Sequence, residues 1–422
     1  MEHLIDASKG RANIQHLFAT YPTINVMIKQ GRLSKRWGYA ASRDMGDGAK
    51  TQHIAAFNKE DATKQVMFLT ETDLALMETA AGKTFTYKTQ TGTYLTADTK
   101  GVTNVTGAVI TFGALATLQT DGVAAGDKFI ISADHSSDVE IDVHWGTVLT
   151  VDSETQLTLT AAYAGAATTW NALVRMVYST PTNQRWQYAI VDNKFIFCNT
   201  NVDVQVYTGA GYATPLDSTY AKKAKFCLDY ANRLIIAYLE VSGTMNPWRL
   251  SYSGVGAPAD WSAESTTAGD IDFAGTADHI SGLGKVGPNI IVYKEDSFHL
   301  GHRTGDSTDP LTFPSEKPGI GNYAPYSLVH FQNSNAFIWR NDFYIIEGTQ
   351  PRAIGGRMAY EFFRLVEEAN IARTWGFNVQ RESQIVWWAD TIDGRLGFAW
   401  DYRSNEWGIY ETWADIVGGG GS

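Results

Sequence analysis

The chain has 422 residues, 44% hydrophobic and 12% aromatic, with 39 glycines scattered between short apolar runs; this excludes an intrinsically disordered chain and provides for one large core or several ordinary ones. Its 34 basic and 45 acidic residues leave a formal charge of −11, which excludes a strong whole-chain grip on nucleic acid or anionic lipid. No apolar run reaches the roughly 18 residues of a membrane span, and the opening MEHLIDASKGRANIQHLF has no cationic segment followed by an apolar one, so the protein is expected to be made in the cytosol.

In chain order, the first feature is GRLSKRWGY, 31–39, the one concentrated basic stretch, with Arg32, Lys35 and Arg36. Three charges in one loop commonly form plain surface; the sharper reading is a contact with DNA or an acidic partner. A two-strand unit then recurs six times: VMFL with LALM (66–77), FIFC with VQVY (195–207), LIIAY with WRLSY (234–252), IIVY with FHL (290–300), AFIW with FYII (336–346) and IVWW with LGFAW (385–400). Each joins an apolar run to a second one through a short polar turn, the pattern of an antiparallel hairpin. From the second unit on, the starts lie about 40 to 55 residues apart, the period of four-stranded propeller blades.

The interval between the first two units is too long for that period and predicts an insertion over 91–178. Its segments VTGAVITF, DKFIISAD, VEIDVHWGTVLTV and TQLTLTAAY predict a small β-barrel of about five strands. With three basic and nine acidic residues it holds more than half of the chain's excess negative charge. Within the fourth repeat, GLGKVG (282–287) matches the spacing of a dinucleotide-binding loop, which needs a helix to open after it. The continuation PNIIVYK predicts a strand instead, so the glycines are expected to form a turn handing one repeat to the next. YEFFRLVEEANIAR (360–373) carries Phe362, Leu365, Val366 and Ala369 at helical spacing and predicts one helix packed outside the sheets between the fifth and sixth units. The closing GGGGS resembles a linker.

The predicted fold is all-β: a six-bladed β-propeller with an inserted small β-barrel. The expected division is 1–90 for an N-terminal arm and first blade, 91–178 for the insertion, 179–417 for the remaining blades and 418–422 for a tail. Residues 24–39 are expected to supply a strand that closes the ring, removing exposed sheet edges.

Several segments resemble the β-propeller proteins of bacteriophage tails, the hub or nozzle proteins of short-tailed phages, also called packaged-DNA stabilisation proteins. They are GRLSKRWGY (31–39), WRLSYSGVGAPADWS (248–262), IVYKEDSFHLGHRTGD (291–306) and GIGNYAPYSLV through FYIIEGTQPRAIG (319–355). TDGVAAGDKFII and TVLTVDSETQLTLTAAYAG resemble a β module of phage virion proteins. The resemblance implies a virion protein of the tail, assembled in the host cytoplasm as a homohexameric ring below the portal and its adaptor. It further implies that genomic DNA passes the lumen with weak contacts, that packaged DNA is retained, and that tail fibres or a needle dock.

Candidate chemistry is sparse. Asp134, Asp138, Glu140 and Asp142, with His135 and His144 among them, offer the oxygens a calcium ion wants, against the plainer reading of a solvated acidic face that meets a basic partner. His299 and His302 in HLGH flank a strand end, without the spacing of a metal pair. G-x-S-x-G, H-E-x-x-H and C-x-x-C are absent, so a non-enzyme with no catalytic residue, cofactor or metal is expected. Cys198 and Cys227 sit in apolar runs and read as buried thiols. Trp387, Trp388, Trp400, Trp407 and Trp413 read as wedges between blades ahead of stacking platforms. The alternative from another class is a glycan-binding propeller, lectin-like or sialidase-like, serving host recognition. Sialidase propellers separate Asp and Gly by one residue in their aspartate boxes, whereas in TIDGRLGFAW Asp393 and Gly394 are adjacent.

Overall fold

The computed structural model describes residues 26–29, 32–35, 51–59, 61–77, 85–89, 93–95, 101–132, 144–163, 171–175, 178, 180, 183–217, 223–241, 243–261, 268–306, 309–314 and 316–411. Among them, six antiparallel sheets follow one another along the chain, each a meander of consecutive strands: sheet 1 (51–87), sheet 2 (187–215), sheet 3 (224–272), sheet 4 (280–318), sheet 5 (329–353) and sheet 6 (375–411). Five have four strands, and sheet 4 adds a fifth, Glu316–Pro318, beside Ser297–Arg303.

The apolar runs of the six repeats form the second and third strands of these sheets. In FIFC, Phe195 and Phe197 pack towards sheet 1, while Ile196 and Cys198 pack towards sheet 3. In sheet 3, Leu234 and Ile236 face sheet 2 whereas Ile235 and Ala237 face sheet 4. Ile290 and Val292 face sheet 3, with Ile291 and Tyr293 turned towards sheet 5. Strand side chains alternate between faces, so a strand buried on both must be apolar at every position. Five consecutive sheet-to-sheet cores arise in this way. Two-residue turns tighten the first hairpins: Asp192 and Asn193 take φ of 50° and 54°, Ala231 and Asn232 of 55° and 58°, the left-handed geometry that matches strand twist.

GLGKVG is mostly strand. Ile280–Val286 is the first strand of sheet 4, and only Gly287, at φ +55°, enters the turn where Val286 pairs with Asn289. Inside the strand, a Cβ on Gly284 would lie 2.5 Å from the Asn335 amide; glycine is there for close approach to sheet 5, and the handover between sheets falls elsewhere. The expected single helix is two, α1 (Arg357–Leu365) and α2 (Glu368–Ile371), parted by Val366 in an extended conformation. Leu365 gives its carbonyl to Ile392 N at 3.0 Å, so sheet 6 takes the acceptor that a continuing helix needs. Met358, Ala359, Phe362 and Leu365 fill the wedge between sheets 5 and 6, not an outer surface.

Residues 93–175 include a seven-stranded sheet with its own core of Val102, Ile110, Phe112, Leu118, Phe129, Val148 and Leu157 among others. The expectation was about five strands. VTGAVITF is itself a hairpin turned at Gly107, φ +62°, and Thr93–Leu95 and Asn171–Arg175 extend the far edge. Near the N-terminus, Val26–Lys29 and Arg32–Lys35 form a separate hairpin, the first strand lying against Glu406–Glu411 of sheet 6. Each of the six sheets is complete from contiguous chain, so the closing strand expected from 24–39 is not a member of any of them.

Candidate functional site

The first strands of all six sheets, Thr51–Asn58, Gln187–Val191, Ala224–Tyr230, Ile280–Val286, Val329–Phe331 and Trp375–Val379, meet around one cavity of about 620 Å³. Both faces of these strands lean on neighbouring sheets, Phe226 and Leu228 of sheet 3 towards sheet 4 and Cys227 towards sheet 2, and their free edge borders the cavity.

Arg185, just ahead of sheet 2, spans the seam between the last sheet and the first. Its guanidinium donates to Gln52 O at 2.8 Å in sheet 1 and covers the Trp375 ring of sheet 6 at 4.4 Å. Crowding by protein lowers its pKa to about 10, which leaves it charged at any ordinary pH. Lys225 of sheet 3 lies over the rings of Tyr238 at 5.0 Å and Tyr326 at 6.0 Å. Burial holds its ammonium below the usual lysine range. Tyr326, which lines the cavity, has its hydroxyl pushed up by burial, with Arg185 pulling the other way.

Further round, Lys285 Nζ donates to Asp229 Oδ2 at 2.8 Å, and Asp229 is the one carboxylate among the lining residues. The Asn335 amide, oriented so that its nitrogen donates to His330 Nδ1 at 2.6 Å and its oxygen accepts from the Tyr293 hydroxyl at 3.0 Å, anchors that wall. The Asn378 Oδ1 atom is buried on sheet 6 with no hydrogen-bond donor among the described residues.

His53, between Arg185 and the ring of Tyr188, has its pKa lowered to about 3, first by burial and then by the Arg185 charge. A histidine whose folded pKa lies below its unfolded value favours the neutral form. Its contribution to stability is therefore complete above pH ~6.5 and is lost as pH falls from there towards 3. His53→Gln is expected to flatten the acid limb of the melting-temperature profile between pH 7 and 4.5, measured at constant ionic strength. Parallel profiles for wild type and variant would refute this.

Few residues singled out from sequence lie at this cavity. Arg32 and Lys35 occupy the two ends of the strand Arg32–Lys35 in the N-terminal hairpin, and Arg36 lies outside the described residues. Asp134, Asp138, Glu140, Asp142 and His135 also lie outside them, while His144 opens the strand His144–Ser153. Among the described residues no group of three His, Cys, Asp or Glu is placed to hold a metal ion. His299 and His302 share the strand Ser297–Arg303; three positions apart, they point to opposite faces, and His299 Nε2 lies 3.9 Å from Glu316 Oε1. Trp387, Trp388 and Trp400 are buried, with Trp387 facing sheet 5 and Trp388 packed on Trp375 and Tyr326. Trp413 is outside the described residues. Cys198 and Cys227 are free, buried thiols at the joint of sheets 2 and 3; burial, then a hydrogen bond with Cys198, pushes the Cys227 thiol up. Asp393 lies in a hairpin turn of sheet 6, and Gly394, at φ +102°, opens the strand that follows it. Sequence reading missed Arg185, Lys225 and Tyr326, which stand isolated in NQRWQY, KAKFC and APYSL and acquire meaning only when three sheets converge. No helix among the described residues is long and apolar enough to cross a membrane.

No family model matches the chain, and no curated protein sequence matches it. Among solved structures, it is similar to the Neurospora crassa Pan2 WD40 domain, at 9% identity over 89% of this chain and 83% of that one, with a TM-score of 0.35. It is also similar to Kluyveromyces lactis Hsv2, at 8% identity over 86% and 97% of the two chains, with a TM-score of 0.30. A third likeness is to the extracellular domain of a Bacteroides thetaiotaomicron hybrid two component system, at 9% identity and a TM-score of 0.33, where the match takes in 83% of this chain and spans 38% of the other's length.

Proposed function

We propose that the six sheets form a six-bladed β-propeller bearing an inserted β-barrel, and that the protein is a structural component of a phage tail, a hub or nozzle prolonging the DNA channel below portal and adaptor. The supporting observation is where the phage-like segments fall: they build strands of sheets 3, 4 and 5 and the connection between sheets 4 and 5. WRLSYSGVGAPADWS comprises the end of the third strand of sheet 3 and its exit loop, and IVYKEDSFHLGHRTGD the second and third strands of sheet 4. GIGNYAPYSLV holds the fully buried Asn322, whose Nδ2 donates to Ser281 O at 2.9 Å, and Ser327, whose carbonyl accepts from Trp387 Nε1 at 2.8 Å. Likeness spread over strands and their connections is what a shared architecture retains, whereas an enzyme family would concentrate it on reacting groups.

The central cavity is not the conduit. At about 620 Å³ it holds roughly 20 waters at ~30 Å³ each, too little for a duplex whose major groove alone is about 12 Å wide. DNA would pass through a ring of copies, and a wall without strong phosphate-binding sites lets it slide. The test is mass photometry and negative-stain imaging of the protein mixed with portal and adaptor. Six-fold rings seated under the adaptor are the expected result. A monomer that ignores the adaptor and binds a glycan array would overturn the tail reading in favour of a host-recognition lectin.

A further inference from the structure

The central cavity turns both an unpaired cation and bare apolar surface to its interior. Gln52, His53, Arg185, Tyr188, Tyr326 and Trp375 all line it, and around the seam of sheets 6 and 1 they are neighbours. Arg185 touches Gln52 and Trp375, its charge reaches His53 and Tyr326, and the His53 ring meets that of Tyr188 at 5.9 Å. The Arg185 guanidinium uses one of its five N–H donors, on the Gln52 carbonyl, and forms no ion pair among the described residues; Glu71 acts on it only from longer range. Two enclosed polar groups beside it are also unanswered. The hydroxyl of Tyr326, a residue only 6% exposed, lacks an acceptor among the described residues, and His53 Nε2 lacks a partner. Enclosed charges and polar atoms are ordinarily paired. Ile54 and Tyr188, at 37% and 36%, are among the few large apolar residues left exposed in the described chain, and both border this same space. An apolar ligand body would cover them.

We propose that the central cavity binds an amphipathic monoanion, a carboxylate carried on an apolar body, with the carboxylate at Arg185 and the body over Tyr188 and Ile54. The planar fork of Arg185 can give parallel N–H donors to both oxygens of one carboxylate, and the Trp375 ring fixes the plane of that fork. Tyr326 and the neutral His53, in its Nε2–H form, supply further donors to the same head. The remaining charge on the wall balances, since Lys285 is paired with Asp229; the cavity is therefore short of one negative charge, not several. Its volume of about 620 Å³ falls within the roughly 300–1,000 Å³ of sites that enclose drug-sized ligands. An eight-carbon chain or a fused bicyclic ring has room beyond the head. This site does not depend on the tail reading and would stand if that reading fails.

The experiment titrates the full-length protein by isothermal calorimetry at pH 7 and fixed ionic strength. Octanoate and 2-naphthoate test an aliphatic and an aromatic body, acetate tests the head alone, and 1-octanol and 2-naphthol test the bodies without the charge. The expected result is saturable one-to-one binding of at least one of the two larger acids, the tighter identifying the body. Acetate should bind at least tenfold more weakly, because each buried methylene is worth up to about fourfold. The matching alcohol should also bind about tenfold or more weakly, having lost the charge-assisted hydrogen bonds. Arg185→Gln is expected to weaken the tighter acid by about tenfold or more and Tyr326→Phe, which keeps the ring, by about threefold or more, while Arg381→Gln, on an exposed turn, leaves it unchanged. Should Arg185→Gln fail to fold, Tyr326→Phe and the alcohols decide. No saturable binding of either larger acid, an alcohol or acetate binding as tightly as the acid, or equal binding by wild type and Tyr326→Phe would overturn the proposal.

Discussion

Lys294→Met is expected to destabilise the protein by about 2–4 kcal/mol, because it removes the enclosed partner of a part-buried carboxylate. The Lys294 side chain is wholly enclosed at the end of the second strand of sheet 4. Its ammonium lies 3.0 Å from Asp278 Oδ1 and 3.0 Å from Phe273 O, and it also bonds the Thr276 hydroxyl. Phe273, Thr276 and Asp278 belong to the connection between sheets 3 and 4, so one lysine holds that crossing in place. Burial pushes the Asp278 carboxyl up, but hydrogen bonds from Thr276, Lys294 and the Asp296 N–H outweigh it and hold the pKa at about 2. A carboxylate with a depressed folded pKa contributes stability above its unfolded value of ~3.9, lost as pH falls through 2. Urea denaturation at pH 7 measures the effect. In Lys294→Met/Asp278→Leu, where neither charge remains, much of the loss should return. A single-variant loss under ~1 kcal/mol would show that the enclosed pair is not a staple.

The second large effect is Trp387→Ala, expected to cost about 3–5 kcal/mol, a large part of the ~5–15 kcal/mol that holds a typical domain together. Trp387 is fully buried; its ring lies 4.9 Å from Phe343 and stacks at 5.7 Å on Trp407, and its Nε1 donates to Ser327 O at 2.8 Å. Truncation would open a cavity between sheets 5 and 6 and leave a buried carbonyl without its donor. Trp387→Phe separates the two contributions: it keeps most of the apolar area and loses the N–H, so about 1–2 kcal/mol should go. Thermal and chemical unfolding of both variants would check this, and equal losses for Ala and Phe would mean that the hydrogen bond, not the packing, dominates.

Beyond these energetics, the two kinds of strand left very different marks in the sequence. The second strands of sheets 2, 3, 4 and 6 are buried on both faces, so FIFC, LIIAY, IIVY and IVWW had to be apolar almost throughout and stand out at sight. Edge strands carry no such demand. Thr214–Pro215 and Pro351–Ala353 are short and mostly exposed, and the first strands answer to a cavity that exists only once six sheets have met. The chain's own chemistry therefore determined the all-β class, the six repeats, the interruption between the first two and the helical stripe around Phe362. Tertiary structure alone decided that GLGKVG is an inner strand pressed on Asn335, that the helix breaks at Val366 because sheet 6 claims the Leu365 carbonyl, and that Arg185 and Tyr326 line one cavity with Lys225 over the Tyr326 ring. Those outcomes depend on contacts between residues 27 to 190 positions apart, and periodicity reports only which side of its own strand or helix a residue occupies.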